Sequence, residues 1–149
     1  MNEARIFTRR APTPIHLWIV AVFSLIWNAG GAWDYLARHL GIEGYLDHLT
    51  AEQLELFTGF PGWVNVAWAV GVWFAVAGSI ALLLRKRQAF WLFIGSLLGM
   101  LVTSFHNFIL HDGLAIMGTT GVMFSAVIFL VAIFLVFYSR AMARRSVLA

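Results

Sequence analysis

The stretch from Gly62 to Leu110 decides the fold and reads GWVNVAWAVGVWFAVAGSIALLLRKRQAFWLFIGSLLGMLVTSFHNFIL. It contains two long apolar runs separated by three consecutive basic residues, Arg85, Lys86 and Arg87. A membrane-spanning helix needs about 20 mostly apolar residues, and each run supplies that length. Because so short a polar break allows only a tight turn, the two helices are predicted to be antiparallel neighbours.

Two further apolar runs, at about residues 15–37 and 118–138, join those at about 62–84 and 88–110. The four runs use most of the 149 residues, and 61% of the chain is hydrophobic while only 11% is charged. Such a composition lies outside the range of soluble domains. The sequence therefore predicts an all-α integral membrane protein with one domain over residues 1–149, folded as an up-down-up-down four-helix bundle.

Charged residues are sorted between the two sides of these runs. Nine of the ten basic residues lie before the first run, between the second and third, or after the fourth: Arg5, Arg9, Arg10, Arg85, Lys86, Arg87, Arg140, Arg144 and Arg145. Six of the seven acidic residues lie on the opposite side. The exceptions are one basic residue, Arg38, on the acidic side and one acidic residue, Glu3, on the basic side. Because Lys and Arg are retained in the cytoplasm during insertion, both termini are predicted to be cytoplasmic. These bases are expected to meet anionic headgroups of the lipid bilayer, and no nucleic-acid partner is expected.

The connection between the first two spans has the pattern of a short extracytoplasmic helix. Thr50 and Gln53 have the spacing of a capping box, in which each side chain caps the backbone N–H of the other residue. The helix is predicted over about residues 50–57, and its apolar face would contain Leu54, Phe57 and Phe60. We expect that face to lie on the bundle or in the membrane interface, and the alternative is a lid over a site.

Small residues mark the faces on which the middle helices are expected to pack. Gly71, Ala75 and Gly78 share one face of the second span, and the third span contains a GxxxG motif formed by Gly95 and Gly99. In membranes, small side chains let helix backbones approach closely. These five residues are therefore interpreted as helix-packing positions.

Polar residues within the spans are functional candidates, because they are costly in lipid. Asp34, Asn65, His106 and Asn107 fall at about the same depth, roughly 5 Å from the predicted outer boundary, and Asn28 lies about 9 Å deeper. The first hypothesis is an outward-facing polar site for a small polar solute or ion, in which Asp34 contacts His106. Three tryptophans would form its walls: Trp33, Trp63 and Trp68.

The alternative hypothesis gives these polar residues separate structural roles. Asp34 would reach water at the headgroups, His106 would hydrogen-bond to a neighbouring carbonyl, and Asn65 would cap or bridge helices.

Several kinds of chemistry find no support in the sequence. The chain has no cysteine, which excludes disulfides, iron–sulfur clusters and thiol catalysis. His16 lies near the inner boundary and His106 near the outer one, so a bis-histidine haem is not expected. Because no metal-binding or catalytic motif occurs, we expect no metal, no cofactor and no enzyme activity.

Three segments carry a resemblance to a known family: WNAGGAWDY at 27–35, FPGW at 60–63 with Ala67 and Trp68, and HNFIL at 106–110 with Asp112 and Gly113. In these segments the chain resembles a family of small, uncharacterised four-span inner-membrane proteins of bacteria, which often carry the automatic label "sugar transporter". The resemblance implies a location in the bacterial inner membrane and a transport role. Family members tend to have Gln where this chain has His106, which argues against a mechanism specific to histidine.

The sequence thus favours a small inner-membrane protein that transports or binds a small polar solute or ion. Four helices are few for alternating access, so transport would require a homodimer. The alternative is a non-catalytic accessory or structural subunit that stabilises a larger membrane complex through its small-residue faces. Polar residues converging on a cavity would favour transport, whereas a closed core and an exposed stripe of small residues would suit the accessory role.

Overall fold

The computed structural model describes residues 11–149, and within this range the chain is helical apart from its connections. It contains five α-helices and a π-helical turn, His106–Leu110, that continues the fourth helix. The helices are α1 (Ile15–His39), α2 (Ala51–Thr58), α3 (Gly62–Leu83), α4 (Gln88–Phe105) and α5 (Gly113–Arg144). The prediction of an all-α fold is confirmed for the described residues. Four charged residues of the sequence pattern lie outside them: Glu3, Arg5, Arg9 and Arg10.

Four helices are long and apolar enough to cross a membrane, namely α1, α3, α5 and α4 extended by the π-helical turn. The chain is therefore a multi-pass membrane protein with four candidate spans, as its composition predicts. The helix α5 continues past the predicted end of the fourth span, to Arg144, and its backbone is kinked at Gly118, where that span is predicted to begin. With φ 66° and ψ 178°, Gly118 separates a short leading helical segment, which begins at Gly113, from the span itself, in a backbone conformation that favours glycine.

The helix α2 begins with the predicted capping box, and Phe57 and Phe60 of the predicted apolar face are partly and fully buried, but Leu54 is exposed. The Thr50 hydroxyl accepts a hydrogen bond from the Gln53 backbone N–H at 3.2 Å, and the Gln53 side chain accepts one from the Thr50 N–H. Leu54, predicted on the packed face, is 38% exposed, whereas Leu56 is buried. The reason is that Gln53 Nε2 also donates to the carbonyl of Ile116 in α5, which turns Gln53, Leu56 and Phe57 towards the bundle.

The backbones of α3 and α4 meet at two glycines. A Cβ atom added to Gly99 would lie 2.5 Å from the carbonyl oxygen of Ala67 and 2.6 Å from the backbone nitrogen of Gly71. The Ser96 hydroxyl donates to the Gly71 carbonyl at 2.6 Å across the same contact. Here α3 and α4 are thus packed through their backbones, as small residues in membrane helices allow.

Two further glycines of α3 and α4 pack against aromatic rings of the other helix. A Cβ atom on Gly78 would lie 2.8 Å from the Phe93 ring, and one on Gly95 would lie 2.5 Å from the Phe74 ring. Outside this central pair, α1 packs on α3 and α5 packs on α4. The bundle is therefore built as a tight pair with one helix added to each partner.

One end of the bundle, which we call the basic end, joins the turn 85–87 to the residues after α5. Arg85 has a positive φ of 56°, and its carbonyl accepts a hydrogen bond from the Ala149 N–H at 2.8 Å. The Arg85 guanidinium donates to the carbonyls of Val147 and Ala11, at 3.2 and 3.3 Å. The basic turn, the segment before α1 and the C-terminal tail therefore lie together, as the charge sorting predicts for one side of a membrane.

The opposite end, which we call the acidic end, contains the end of α1, α2, the start of α3 and the π-helical turn. Towards this end, α1 has a face that the described chain does not cover. A Cβ atom added to Gly30 or Gly31 would have nothing within 4 Å. The α1 glycines thus differ from Gly71 and Gly99, which are packed.

Replacing Gly99 with alanine should destabilise the bundle by about 1–3 kcal/mol, because the added methyl group would meet backbone atoms that cannot rotate away. Gly31→Ala is the matched control, since it adds the same group to a spanning helix where there is space. Thermal unfolding in detergent measures both variants against the unchanged chain. Equal losses of stability would contradict the close approach of α3 and α4.

Candidate functional site

The carboxylate of Asp34 is occupied by two neighbours at the acidic end. Arg38 Nε lies 3.0 Å from both carboxylate oxygens, and Arg38 Nη2 lies 3.0 Å from Oδ1. The Tyr45 hydroxyl donates to Oδ1 at 2.9 Å. Because Arg38 stands one helical turn after Asp34, α1 itself brings the two charges together. The carboxylate is thus both neutralised and hydrogen-bonded within the chain.

The Arg38 side chain is largely buried beneath aromatic rings. Only 14% of it is exposed, and its guanidinium carbon lies 4.6 Å from the centre of the Phe57 ring and 5.9 Å from that of Trp68. These distances are within the range of cation–π attraction. Its Nη1 is the only buried side-chain nitrogen or oxygen among residues 11–149 that lacks a hydrogen-bond partner. One donor of the guanidinium is therefore not used by the described chain.

Tyr45, in the connection between α1 and α2, remains a hydrogen-bond donor over a wide pH range. Burial raises the pKa of the Tyr45 hydroxyl above its ordinary value, and the hydrogen bond to the Asp34 carboxylate raises it further. Both effects disfavour the phenolate, which would lie beside a second negative charge. The contact between Tyr45 and Asp34 is therefore retained at neutral pH.

His106 occupies a separate aromatic cluster on the π-helical turn. It is buried, and its Nδ1 donates to the side-chain oxygen of Asn107 at 3.1 Å. The centre of its ring lies 5.4 Å from Phe60, 5.6 Å from Trp63 and 4.4 Å from His111. The His111 N–H bonds to the His106 carbonyl, and this five-residue step of the π-helical turn brings the two imidazoles together.

The two remaining asparagines hydrogen-bond inside the bundle. Asn65 Nδ2 donates to the Phe60 carbonyl at 3.0 Å and so fixes the chain before α3. Asn28 Nδ2 donates to the Ser79 hydroxyl at 2.9 Å and to the Ala75 carbonyl at 3.3 Å, which links α1 to α3. Asn65 thus ties the first turn of α3 to the residue before Pro61, although it does not cap an N–H of α3, and Asn28 bridges two helices.

A small cavity lies beside Asn28, between all four spanning helices. Its volume is about 30 Å³, and Ser96 and Met100 of α4 are among the residues that line it. A cavity of this size has room for about one or two water molecules. It is too small to hold a sugar or another solute of that size.

Asp34 and His106, which the first hypothesis pairs, are not hydrogen-bonded to each other in the described structure. The Phe60 ring contacts both Trp68, which lies near Arg38, and His106: its centre is 5.7 Å from that of Trp68 and 5.4 Å from that of His106. Trp33 and Trp63 are 55% and 49% exposed, so they contribute little to an inner wall. The expected contact fails because Arg38 reaches Asp34 from the adjacent turn of α1.

Arg38, Tyr45 and Phe57 belong to this region but were not among the predicted site residues. The spacing of Asp34 and Arg38, four apart on a helix, is a usable signal for their ion pair. Nothing comparable in the sequence indicates Tyr45, which reaches Asp34 from a loop. Within residues 11–149, no group of three or more His, Asp or Glu side chains is arranged to hold a metal ion.

Comparison with known proteins gives no relative: no family model, no curated protein and no solved structure matches this chain. The resemblance to the family of small bacterial inner-membrane proteins therefore stays a prediction.

A double-mutant cycle of Asp34→Asn and Arg38→Gln should give a coupling energy of about 1–3 kcal/mol, above that of typical exposed pairs. The physical reason is the burial of Arg38, which weakens solvent screening of the pair. Unfolding in detergent measures the four chains. Asp47→Asn in place of Asp34→Asn provides the control, since Asp47 is exposed and makes no salt bridge in the described structure. A coupling energy near zero for the Asp34 cycle would contradict the ion pair.

Proposed function

We propose that this multi-pass membrane protein is a non-catalytic accessory subunit that packs against a helix of a larger membrane complex. The observation that carries the proposal is the closed interior. The central cavity has a volume of only about 30 Å³, and the polar groups near it, Asn28 and Ser96, already hydrogen-bond within the chain. A polar solute crossing the bundle would need both space and free hydrogen-bonding groups. This interior supports a structural role over transport.

The uncovered face of α1 supplies a place for a partner helix. Gly30 and Gly31 have no neighbour within 4 Å of an added Cβ, in contrast to the packed glycines of α3 and α4. In water, each glycine destabilises a helix by about 1 kcal/mol relative to alanine. Close packing of a partner helix on Gly30 and Gly31 would compensate for this loss. Small residues would let a partner backbone approach α1 as closely as α4 approaches α3.

Substitution of this face tests the accessory role. The full chain, purified from its native membrane in mild detergent, should emerge with a stoichiometric partner, and Gly31→Leu should reduce the recovered partner at least tenfold. The variant should keep its melting temperature, because Gly31 is exposed and a Cβ atom added there has nothing within 4 Å. Val66→Phe is the control, since it adds bulk at an exposed position of α3. A complex that survives Gly31→Leu and Gly30→Leu, or a chain that purifies alone, would contradict the proposal.

The orientation that we propose has the basic end in the cytoplasm and the acidic end outside, in the inner membrane of a bacterium. The charge sorting supports it, because three basic residues in or next to the last turns of α5 and three of the turn 85–87 lie at the same end of the bundle: Arg140, Arg144, Arg145, Arg85, Lys86 and Arg87. The positive-inside rule assigns that end to the cytoplasm.

Single cysteines report this orientation directly, since the chain has none of its own. Glu52→Cys, at the acidic end, should react with a membrane-impermeant maleimide in intact cells. Lys86→Cys should react only after permeabilisation, because it lies at the basic end. Both positions are exposed, so accessibility within the fold does not limit labelling. Labelling of Lys86→Cys alone in intact cells would reverse the proposed orientation.

A second candidate function, binding or transport of a small polar solute by a homodimer, is favoured by one observation. Arg38 Nη1 is a buried donor without a partner at the acidic end. Since Asp34 already neutralises the guanidinium, an uncharged oxygen such as a hydroxyl would suit it. Uptake of a labelled monosaccharide into vesicles that contain only this chain distinguishes the candidates. Uptake that exceeds that of protein-free vesicles and is lost in Arg38→Gln would favour this candidate over the accessory role.

A further inference from the structure

We propose that a groove at the basic end binds one anionic phospholipid, with an acyl chain along α3 and the headgroup phosphate on Lys86. The groove has a volume of about 340 Å³. Its lining residues are Ala77, Ile80, Ala81, Leu84, Lys86 and Gln88. The proposal is independent of the accessory function, because it concerns the opposite end of the chain from Gly30 and Gly31.

The apolar part of the groove follows from the spacing of four residues on α3. Ala77, Ile80, Ala81 and Leu84 stand at i, i+3, i+4 and i+7, so they form one continuous helix face. Ile80 and Leu84 are 44% and 62% exposed, and the two alanines leave a depression between these larger side chains. A lining of this kind suits hydrocarbon, since it offers few partners for water.

The polar end of the groove carries Lys86, which makes no salt bridge in the described chain. Lys86 is exposed, and the only salt bridge within residues 11–149 joins Asp34 and Arg38 at the acidic end. No acidic residue in that range lies near the turn in sequence, Asp112 being the closest after it. An anionic lipid would supply Lys86 with a phosphate that is attached to the hydrocarbon that the groove fits.

The backbone holds Lys86 at the mouth of the groove. The Lys86 N–H bonds to the Ala81 carbonyl at 2.7 Å, and the residues on either side are tied to the tail: Ala149 donates to Arg85 and accepts from Arg87. The turn is thus fixed to both α3 and the C-terminal tail. A fixed turn presents the ammonium group beside the apolar face with less loss of conformational entropy on binding.

Native mass spectrometry of the full chain in detergent tests the proposal with two lipids of equal chain length, phosphatidylglycerol and phosphatidylcholine. We expect one phosphatidylglycerol bound in preference to phosphatidylcholine. Lys86→Gln should weaken phosphatidylglycerol binding about fivefold, the contribution of one basic residue near an anionic surface. Arg87→Gln is the matched control: it removes the same charge from the same turn, but Arg87 does not line the groove. Its effect should be less than twofold.

Two groove variants test the position of the acyl chain without changing the charge. Ala77→Phe should fill the groove and weaken binding of phosphatidylglycerol at least fivefold. Leu84→Asn, at a 62% exposed position, should do the same by removing an apolar wall without disturbing the core. Equal losses in Lys86→Gln and Arg87→Gln would overturn the proposal in favour of diffuse attraction. Unchanged binding in Leu84→Asn, or displacement of the lipid by excess inorganic phosphate, would also overturn it, since the headgroup alone would then account for binding.

Discussion

The close approach of α3 and α4 is the constraint on which the rest of the bundle depends. The two helices meet backbone to backbone at Gly71 and Gly99, and Ser96 hydrogen-bonds across the contact. Lipid tails are as apolar as a helix surface, so helices in a bilayer associate through packing and polar bonds of this kind. The helix α1 packs on α3, and α5 packs on α4. The bundle is therefore built around the contact between α3 and α4, and it encloses little space.

The polar residues of the spans obey the same constraint. With no water in the membrane core, a donor or acceptor must find its partner within the protein. Asn28 finds Ser79 on the adjacent helix, and Asp34 finds Arg38 one turn along its own helix. An ionisable residue in a span is a functional candidate by default, but here the partners already present are sufficient to explain these side chains structurally.

The parts of the structure that depend on local sequence could be predicted, and those that depend on distant contacts could not. The four spans and the capping box at Thr50 follow from composition and spacing. The exposure of Leu54 on α2 does not, because Gln53 is held by Ile116, 63 positions away. The partner of Asp34 is an intermediate case. Asp34 and Arg38 are four residues apart on a helix, and this spacing predicts an ion pair. In the sorting of charges, however, Arg38 is only an exception to the pattern, and the depth of the polar residues favours His106 as the partner of Asp34.

The two candidate functions place opposite demands on α2. For a solute to reach Arg38 Nη1, which solvent does not reach, Phe57 and the rest of α2 would have to move. That motion would expose Leu56, at a cost of about 1.5–3 kcal/mol, and break the hydrogen bond from Gln53, at about 0.5–1.5 kcal/mol. A single hydrogen bond to a charged donor returns about 1.5–3 kcal/mol. At the middle of these ranges, one solute contact at Arg38 would not offset the opening of α2, so a solute site would need further contacts. An accessory subunit has no such requirement, since a closed α2 stabilises the acidic end and leaves the α1 glycines available.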